Sequence, residues 1–303
     1  MLQSQTQNSL LQDGRGIDHL VVLVRDLQSS TKEYRDLLGF DISVAGRHPG
    51  GTENSIAGFQ DETYLELLSV YDPIKAADTV ALLEKHEGAG SVGLNIGSAD
   101  ATINFLRSRG IETGSGSGTI KLENIDETPS VLWKWVDLRA RTSISDSIFF
   151  IEYTQERAAF RKRHPEKYIV GPHPNGAKRL TSIWTIAKDL REGARPYETI
   201  GLHVNRQVSL DQVSAKGVEF QVGHGTILLL SPTKTDGETA KLLEQRTEGS
   251  IIGASVEVGN LSSAKQLFDR NKVEHIDYKG IYGQSLLVSP ERTHGLWLEM
   301  YQG

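Results

Sequence analysis

The chain has 303 residues, 38% hydrophobic and 24% charged, with a net charge of −6 and no cysteine. The composition is that of an ordinary globular protein, and the length suggests two domains. The acidity argues against a nucleic-acid partner or an affinity for acidic membranes. The lack of cysteine excludes disulfides, thiolate catalysis and cysteine–metal sites.

The N-terminal stretch "MLQSQTQNSLLQDGRG" is polar and lacks the charged-then-apolar pattern of a signal peptide, so residues 1–13 are expected to be a frayed tail. No run of about 18 apolar residues occurs, so no membrane span is expected. Cytoplasmic residence fits these features. "IDHLVVLV" is apolar and β-branched and predicts a strand, with His19 inside it. A neutral imidazole in such a strand needs a partner for each ring nitrogen: a side chain, a water or a metal ion. "DLQSSTKEYRDLLGF" predicts a helix, with Leu27, Tyr34, Leu37 and Leu38 on one face, Asp26 as N-cap and Gly39 as stop. "FDISVAG", "NSIAGFQ" and "TYLELLSV" follow as three short strands, making a β-α-β-β-β unit.

The same order returns three times. "SVGLNIGSADATINFLRSRGI" is a strand then a helix, and "TIKLENI", "SVLWKWVDL" and "SIFFIEYT" are strands. A third unit runs from "LTSIWTIAKDL" to "GTILLLSP", and a fourth from "IIGASVEVGNLSSAKQLFDRNKVE" to "GLWLEMY". "PIKAADTVALLEKHEGAGSVG" resembles "PTKTDGETAKLLEQRTEGSIIG" half a chain away, which points to a duplicated domain. The expected layout is α+β: four βαβββ modules forming two paired, cup-like half-barrel domains over 14–156 and 178–303. Residues 157–177 are basic and punctuated by Pro and Gly; they read as a surface connector, or as a lid whose Arg and Lys bind an anionic substrate.

Paired modules of this kind resemble the vicinal oxygen chelate superfamily, which includes glyoxalase I, extradiol dioxygenases and antibiotic-resistance proteins. The carrying stretches are "IDHLVVLVRDL", "GRHPGGTENS" followed by "YLELLSV", and "HPNGA". They look closest to the glyoxalase-like domain branch. The resemblance implies a metal held from the first and last strands of each module. Mapped residue by residue, it implies His19 and Glu66 as metal ligands, with Glu152 of "FFIEYT" as the third. Alternation in the strand puts Glu66 on the face of Tyr64 and Leu68. No histidine falls within "SVG" of the second module. His48, on a turn, is a fourth ligand candidate or an acid/base group, and Glu152 is a candidate proton shuttle; Arg47 and Asn54 could orient substrate oxygens.

In the second half Ser182 stands where His19 sits, Leu228 where Glu66 sits, and Gly253 and Glu299 take the remaining positions. That half is expected to be structural, with Glu299 paired to an Arg or Lys. One His and two Glu would admit Zn, Mn, Fe, Ni or Co but no soft metal. The resemblance then implies an isomerase, lyase or hydrolase acting on a small molecule with adjacent oxygens, through an enolate-like charge. Fe(II)-dependent extradiol-type oxygen chemistry and a non-catalytic binding or resistance protein are the alternatives. Either a monomer or a homodimer is compatible, because four modules can close both cups in one chain.

Overall fold

The computed structural model describes residues 9–139, 142–165 and 170–303. The first strand, β1 (Gly16–Leu23), is buried on both faces, which is why it reads as an unbroken apolar run. It leads into α1 (Leu27–Asp36), capped by Asp26, whose side chain accepts from the Ser29 N–H at 2.9 Å. The chain turns back through Gly39 at φ +74°, a left-handed conformation that glycine adopts without steric cost. Three antiparallel strands follow: β2 (Ser43–Arg47), β3 (Thr52–Gly58) and β4 (Tyr64–Val70).

After α2 (Ala77–Lys85) the pattern repeats as β5 (Gly88–Asn95), α3 (Ala99–Ser108), β6 (Thr113–Gly118), a short β7 (Lys121–Leu122), β8 (Trp133–Leu138) and β9 (Ile148–Tyr153). α4 (Gln155–Arg163) connects to the second half. There β10 (Ala177–Ile186), α5 (Leu190–Thr199), β11 (Val204–Leu210), β12 (Ala215–Val222) and β13 (Gly225–Pro232) make one round. α6 (Glu238–Gln245) leads to β14 (Ile251–Val258), α7 (Leu261–Asn271), β15 (His275–Gly280), β16 (Gly283–Val288) and β17 (Trp297–Gln302). The architecture is α+β, with two curled sheets of nine and eight strands among the described residues. No helix among the described residues is long and apolar enough to cross a membrane.

The first sheet has the order β6-β8-β9-β5-β1-β4-β3-β2-β7. Its two outermost strands end and begin at Gly118 and Lys121. Three residue steps span at most about 10 Å, so the sheet must curl until its edges nearly meet. That closure makes the cup. The strand expected at "TIKLENI" is only Lys121 and Leu122; the longer strand lies upstream, in "TGSGSG". Glycine is poor in strands by propensity, but here the Trp side chains of β8 lie over it. A Cβ on Gly118 would sit 2.2 Å from the Trp133 indole, and one on Gly116 2.6 Å from that of Trp135.

The halves share one apolar core, to which β1 gives Leu20 and Val22 and β10 gives Ile183. Polar links stitch the seam: Tyr34 donates to the Thr293 carbonyl at 3.0 Å, and Ser147 to that of Gly249 at 2.8 Å. The 157–177 stretch is in part helical, as α4, and in part tied down near its end. His173 accepts from the Asp41 N–H and donates to the Gly58 carbonyl, both at 2.9 Å, between Phe40 and Phe59. Residues 166–169 of that stretch lie outside the described residues. Within the expected tail, residues 9–13 are anchored rather than frayed: Leu10 is buried, and its carbonyl accepts from Thr102 at 2.9 Å. Residues 1–8 lie outside the described residues.

The second cup holds a packed apolar cluster. Trp184, Trp297, Tyr278 and Leu228 form a cluster of their own inside it. Ser182 bonds to the hydroxyls of Tyr282 at 2.6 Å and Thr226 at 2.7 Å. Glu299 is fully buried and, among the described residues, meets no Arg or Lys, contrary to the sequence expectation; it accepts from Ser255 at 2.6 Å and Ser285 at 2.8 Å. Burial raises its pKa, and the two serine hydroxyls only partly offset that. A raised carboxyl pKa gives stability that is complete below the unfolded value and lost as pH rises through the folded one. Glu299→Gln is therefore expected to hold its melting temperature on going to alkaline pH better than the parent, which thermal denaturation across pH 5–9 would show. Identical pH profiles for the two proteins would contradict it.

Candidate active site in the first cup

The first cup encloses a cavity of about 450 Å³, walled mostly by apolar side chains from β1, β3, β4, β8 and β9. His19 points into it. The β1–β5 ladder slips between Ile17 and His19, leaving Asp18 as an extra residue. Such a bulge lets neighbouring side chains on one strand meet, which regular alternation forbids. Asp18 Oδ1 thus reaches His19 Nδ1 at 2.8 Å.

Asp18 is wholly buried yet has its pKa lowered. Burial alone would raise it; the His19 hydrogen bond and charge, the Tyr153 hydroxyl and Arg15 together overcome that. Tyr153 donates to Oδ1 at 2.5 Å, and Arg15 pairs with Oδ2 at 3.0 Å. Asp18 is held as a carboxylate, so His19 Nδ1 carries the proton that it donates. The ring is fixed by Tyr64, stacked at 4.4 Å and 6°.

The other ring nitrogen, Nε2, faces Glu66 Oε2 at 3.5 Å. Glu66 is nearly buried, and its second oxygen accepts from Asn54 Nδ2 at 2.5 Å. A bare imidazole lone pair and a carboxylate oxygen repel at that distance in an apolar wall. A shared proton or cation between them relieves the conflict.

His48 also lines the cup, with Nδ1 2.9 Å from the Thr52 hydroxyl. Burial lowers its pKa, so it is a neutral imidazole at neutral pH. Asn54 is engaged with Glu66 and with the Gly46 N–H at 3.2 Å, so it positions the carboxylate rather than a substrate oxygen. Arg47 does not reach the cup: it pairs with Glu53 at 3.0 Å and lies over the Tyr71 ring, mostly in solvent.

Glu152 is not brought to the cup either. The residues of β9 that line it are Phe149, Ile151 and Tyr153, and Glu152 alternates to the opposite face. There its carboxylate accepts from the Ala99 N–H at 2.7 Å, at the start of α3, and lies 3.5 Å from Lys134. Register gives the reason. Val21 pairs with Glu66 across β1–β4, and Gly93 pairs with Phe149 across β5–β9. Aligning the helix caps Asp26 and Ser98 makes Val21 equivalent to Gly93. The second-module counterparts of His19 and Glu66 are then Ser91 and Phe149, both lining the cup. Three-donor binding of a divalent ion by His19, Glu66 and Glu152 does not fit this cup. Among the described residues, no group of three or more His, Asp or Glu side chains is placed to hold a metal ion.

Sequence reasoning missed Asp18, Tyr153 and Gly93. The last cradles the imidazole: a Cβ there would lie 2.5 Å from His19 Cε1. Gly93→Ala is expected to push the ring out of place and reduce ligand turnover or binding at least about tenfold, with only a modest drop in melting temperature. Unchanged turnover and binding would show that the ring has room to spare.

A family model for a glyoxalase-like domain matches residues 17–201, more than half of the chain. The chain belongs to the glyoxalase-like domain family. Its superfamily is the vicinal oxygen chelate one. Among solved structures, this glyoxalase-like protein is similar to a hypothetical protein from Staphylococcus aureus: TM-score 0.64, 12% identity, 95% of this chain and 99% of that one covered. It is also similar to a mutant of 4-hydroxymandelate synthase from Streptomyces coelicolor: TM-score 0.63, 14% identity, 95% and 92% covered. Methylmalonyl-CoA epimerase from Mycobacterium tuberculosis matches part of it, at TM-score 0.40 and 16% identity over 45% of this chain and 93% of that one. No curated protein matches significantly. At these identities the likeness shows the fold alone.

Proposed function

We propose that the first cup is the active site of an enzyme that moves a proton on a small carbonyl compound. The observation that carries this reading is the His19 ring, set between an ionised Asp18 at 2.8 Å and Glu66 at 3.5 Å in an apolar cavity. Asn54 holds one oxygen of Glu66. The other is the base. Glu66 Oε2 takes the proton from the carbon beside the carbonyl, and the C–H electron pair becomes the C=C bond of an enolate. The charge developing on oxygen meets the His19 Nε2–H, which Asp18 and Tyr64 keep aimed. Return of that proton by Glu66 to a neighbouring atom on the same face of the enolate completes an isomerisation with no co-reactant. Apolar walls strengthen each of these electrostatic contacts relative to water. A carboxylate base in this setting contributes about 10²–10⁴-fold.

A divalent cation (Zn, Mn, Fe, Ni or Co) shared by His19 Nε2 and Glu66 is the second reading. A buried carboxylate behind an imidazole, as Asp18 is here, also serves to orient metal-bound histidines. Only two donors, His19 Nε2 and Glu66, would hold it. The test is deuterium exchange from solvent into the carbon beside the carbonyl, followed by NMR over a panel of ketones, hydroxyketones and thioesters. The protein is assayed before and after dialysis against EDTA. Exchange that survives chelation is the expected result. Exchange that vanishes and returns with one added ion transfers the role to the cation, and no exchange on any compound removes the reading.

A further inference from the structure

We propose that His48 is the residue by which this cup selects its ligand: the outer ring nitrogen, Nε2, hydrogen-bonds a hydroxyl, and the ligand is an uncharged hydroxyketone. The inference rests on the cup being the site of a carbonyl compound, as proposed above, but not on proton transfer as its chemistry.

The turn that carries His48 is fixed from several sides. Its N–H donates to the Thr52 carbonyl at 2.8 Å, and its carbonyl accepts from the Gly51 N–H and the Tyr71 hydroxyl, each at 3.1 Å. The ring stands edge-on to Trp133, 5.9 Å away and at 90°. Nδ1 is taken by the Thr52 hydroxyl at 2.9 Å. Nε2 meets no partner among the described residues, yet it is not shut away inside the protein. A ring that lines the cavity thus presents one open hydrogen-bonding edge. Around the His19–Glu66 pair, by contrast, the polar side chains are engaged with one another: Asn54 with Glu66, Tyr153 with Asp18, and Tyr64 with Tyr153.

β3 sets the spacing. Thr52, Asn54 and Ile56 alternate to one face of it, and the last two line the cup. Asn54 holds Glu66, and Thr52 holds His48. These two holders are one pleat apart, about 7 Å along the strand. A carbon within reach of Glu66 and a hydroxyl within reach of His48 therefore belong to one small molecule, a few bonds from each other.

Burial lowers the pKa of His48 against the pull of the Glu66 carboxylate, so the ring is neutral. The nitrogen of a neutral imidazole either donates or accepts, and a hydroxyl serves both cases. A charged group would exchange water for walls such as Val21, Ile56, Leu122 and Phe149 and find no opposite charge on the ring. An anion would also face Glu66. The position suits a hydroxyl over a carboxylate or an ammonium.

The experiment titrates the full chain with 4-hydroxy-4-phenylbutan-2-one and with 4-phenylbutan-2-one, which lacks only the hydroxyl, following tryptophan fluorescence and melting temperature. The hydroxyl compound is expected to bind about fivefold more tightly, the range of one hydrogen bond to a neutral partner. His48→Phe keeps a ring against Trp133 but offers no nitrogen. In that variant the two compounds should bind within about twofold of each other, with the deoxy compound near its wild-type affinity. His48→Gln, whose amide is also a hydrogen-bonding group, should recover part of the preference. If His48→Phe fails to fold, Thr52→Val replaces it: the ring loses its tether, and the preference should narrow. Equal binding of the two compounds by the wild type, a preference undiminished in His48→Phe or Thr52→Val, or no saturable binding of either compound would overturn the proposal. Glu66→Gln separates the two readings, since it should lose exchange while keeping the hydroxyl preference. Exchange without that preference counts against His48 alone, and the preference without exchange counts against proton transfer alone.

Discussion

Glu66→Gln is expected to lower proton exchange by about 10²–10⁴-fold while leaving the fold intact. The amide is nearly isosteric with the carboxylate. Its carbonyl oxygen can still accept from Asn54, which now holds Oε1 at 2.5 Å. What is lost is the negative charge opposite His19 Nε2, and with it both the base and the reason for a proton to lie between the two groups. Single-turnover exchange measured by mass spectrometry on the compound that works best for the wild type would give the ratio. Melting temperature, read in parallel, should move by only a few degrees. Exchange at the wild-type rate in this variant would strip Glu66 of the base role. Exchange lost together with the fold would shift the test to Glu66→Asp, which keeps the charge and withdraws it by one methylene.

The largest effect on stability is expected at Asp18. It is fully buried and takes hydrogen bonds from His19, Tyr153 and Arg15. Asp18→Ala leaves the buried His19 imidazole without its acceptor, takes from the part-buried Tyr153 its charged acceptor, and leaves Arg15 with only Glu62 as counter-charge. Removing one partner of such a buried set costs about 3–5 kcal/mol. The pH dependence follows from the direction of the shift. The folded pKa of Asp18 is lowered, so its contribution is complete above the unfolded value, about 3.9, and is lost as pH falls below that toward the folded value. Wild type and Asp18→Ala should therefore differ most near neutral pH and converge in strong acid. Urea denaturation at pH 7 and pH 3 measures both differences. Equal gaps at the two pH values would mean that Asp18 contributes through packing rather than charge.

The order of strands and helices was legible because apolar runs, caps and glycine stops recur in the letters; Asp26 and Gly39 do what their residue types suggest. His19 and Glu66 share the cup because each sits in a strand whose alternation can be counted. Glu152 failed on the same rule. Within "FFIEYT" it has the parity opposite to Phe149 and Tyr153, but which parity faces inward is set by pairing with β5, and pairing register is not written in one strand. Asp18 was invisible for a different reason. Alternation places it on the face opposite His19, and only the slip in the β1–β5 ladder reverses that. Gly93 looked like a missing ligand; its lack of a side chain is its contribution, since the imidazole occupies the space. The glycine-rich β6 contradicted strand propensity because two indoles, distant in sequence, needed somewhere to lie.

The bulge at Asp18 has a bearing on any attempt to transplant this centre. In a regular ladder, adjacent positions diverge, so writing Asp-His into another β-barrel by substitution would send the two side chains to opposite surfaces. Copying the couple requires inserting one residue into the recipient strand, together with a glycine opposite the ring. Conversely, a single-codon deletion at position 18 would erase the arrangement while every other side chain of the cup kept its identity.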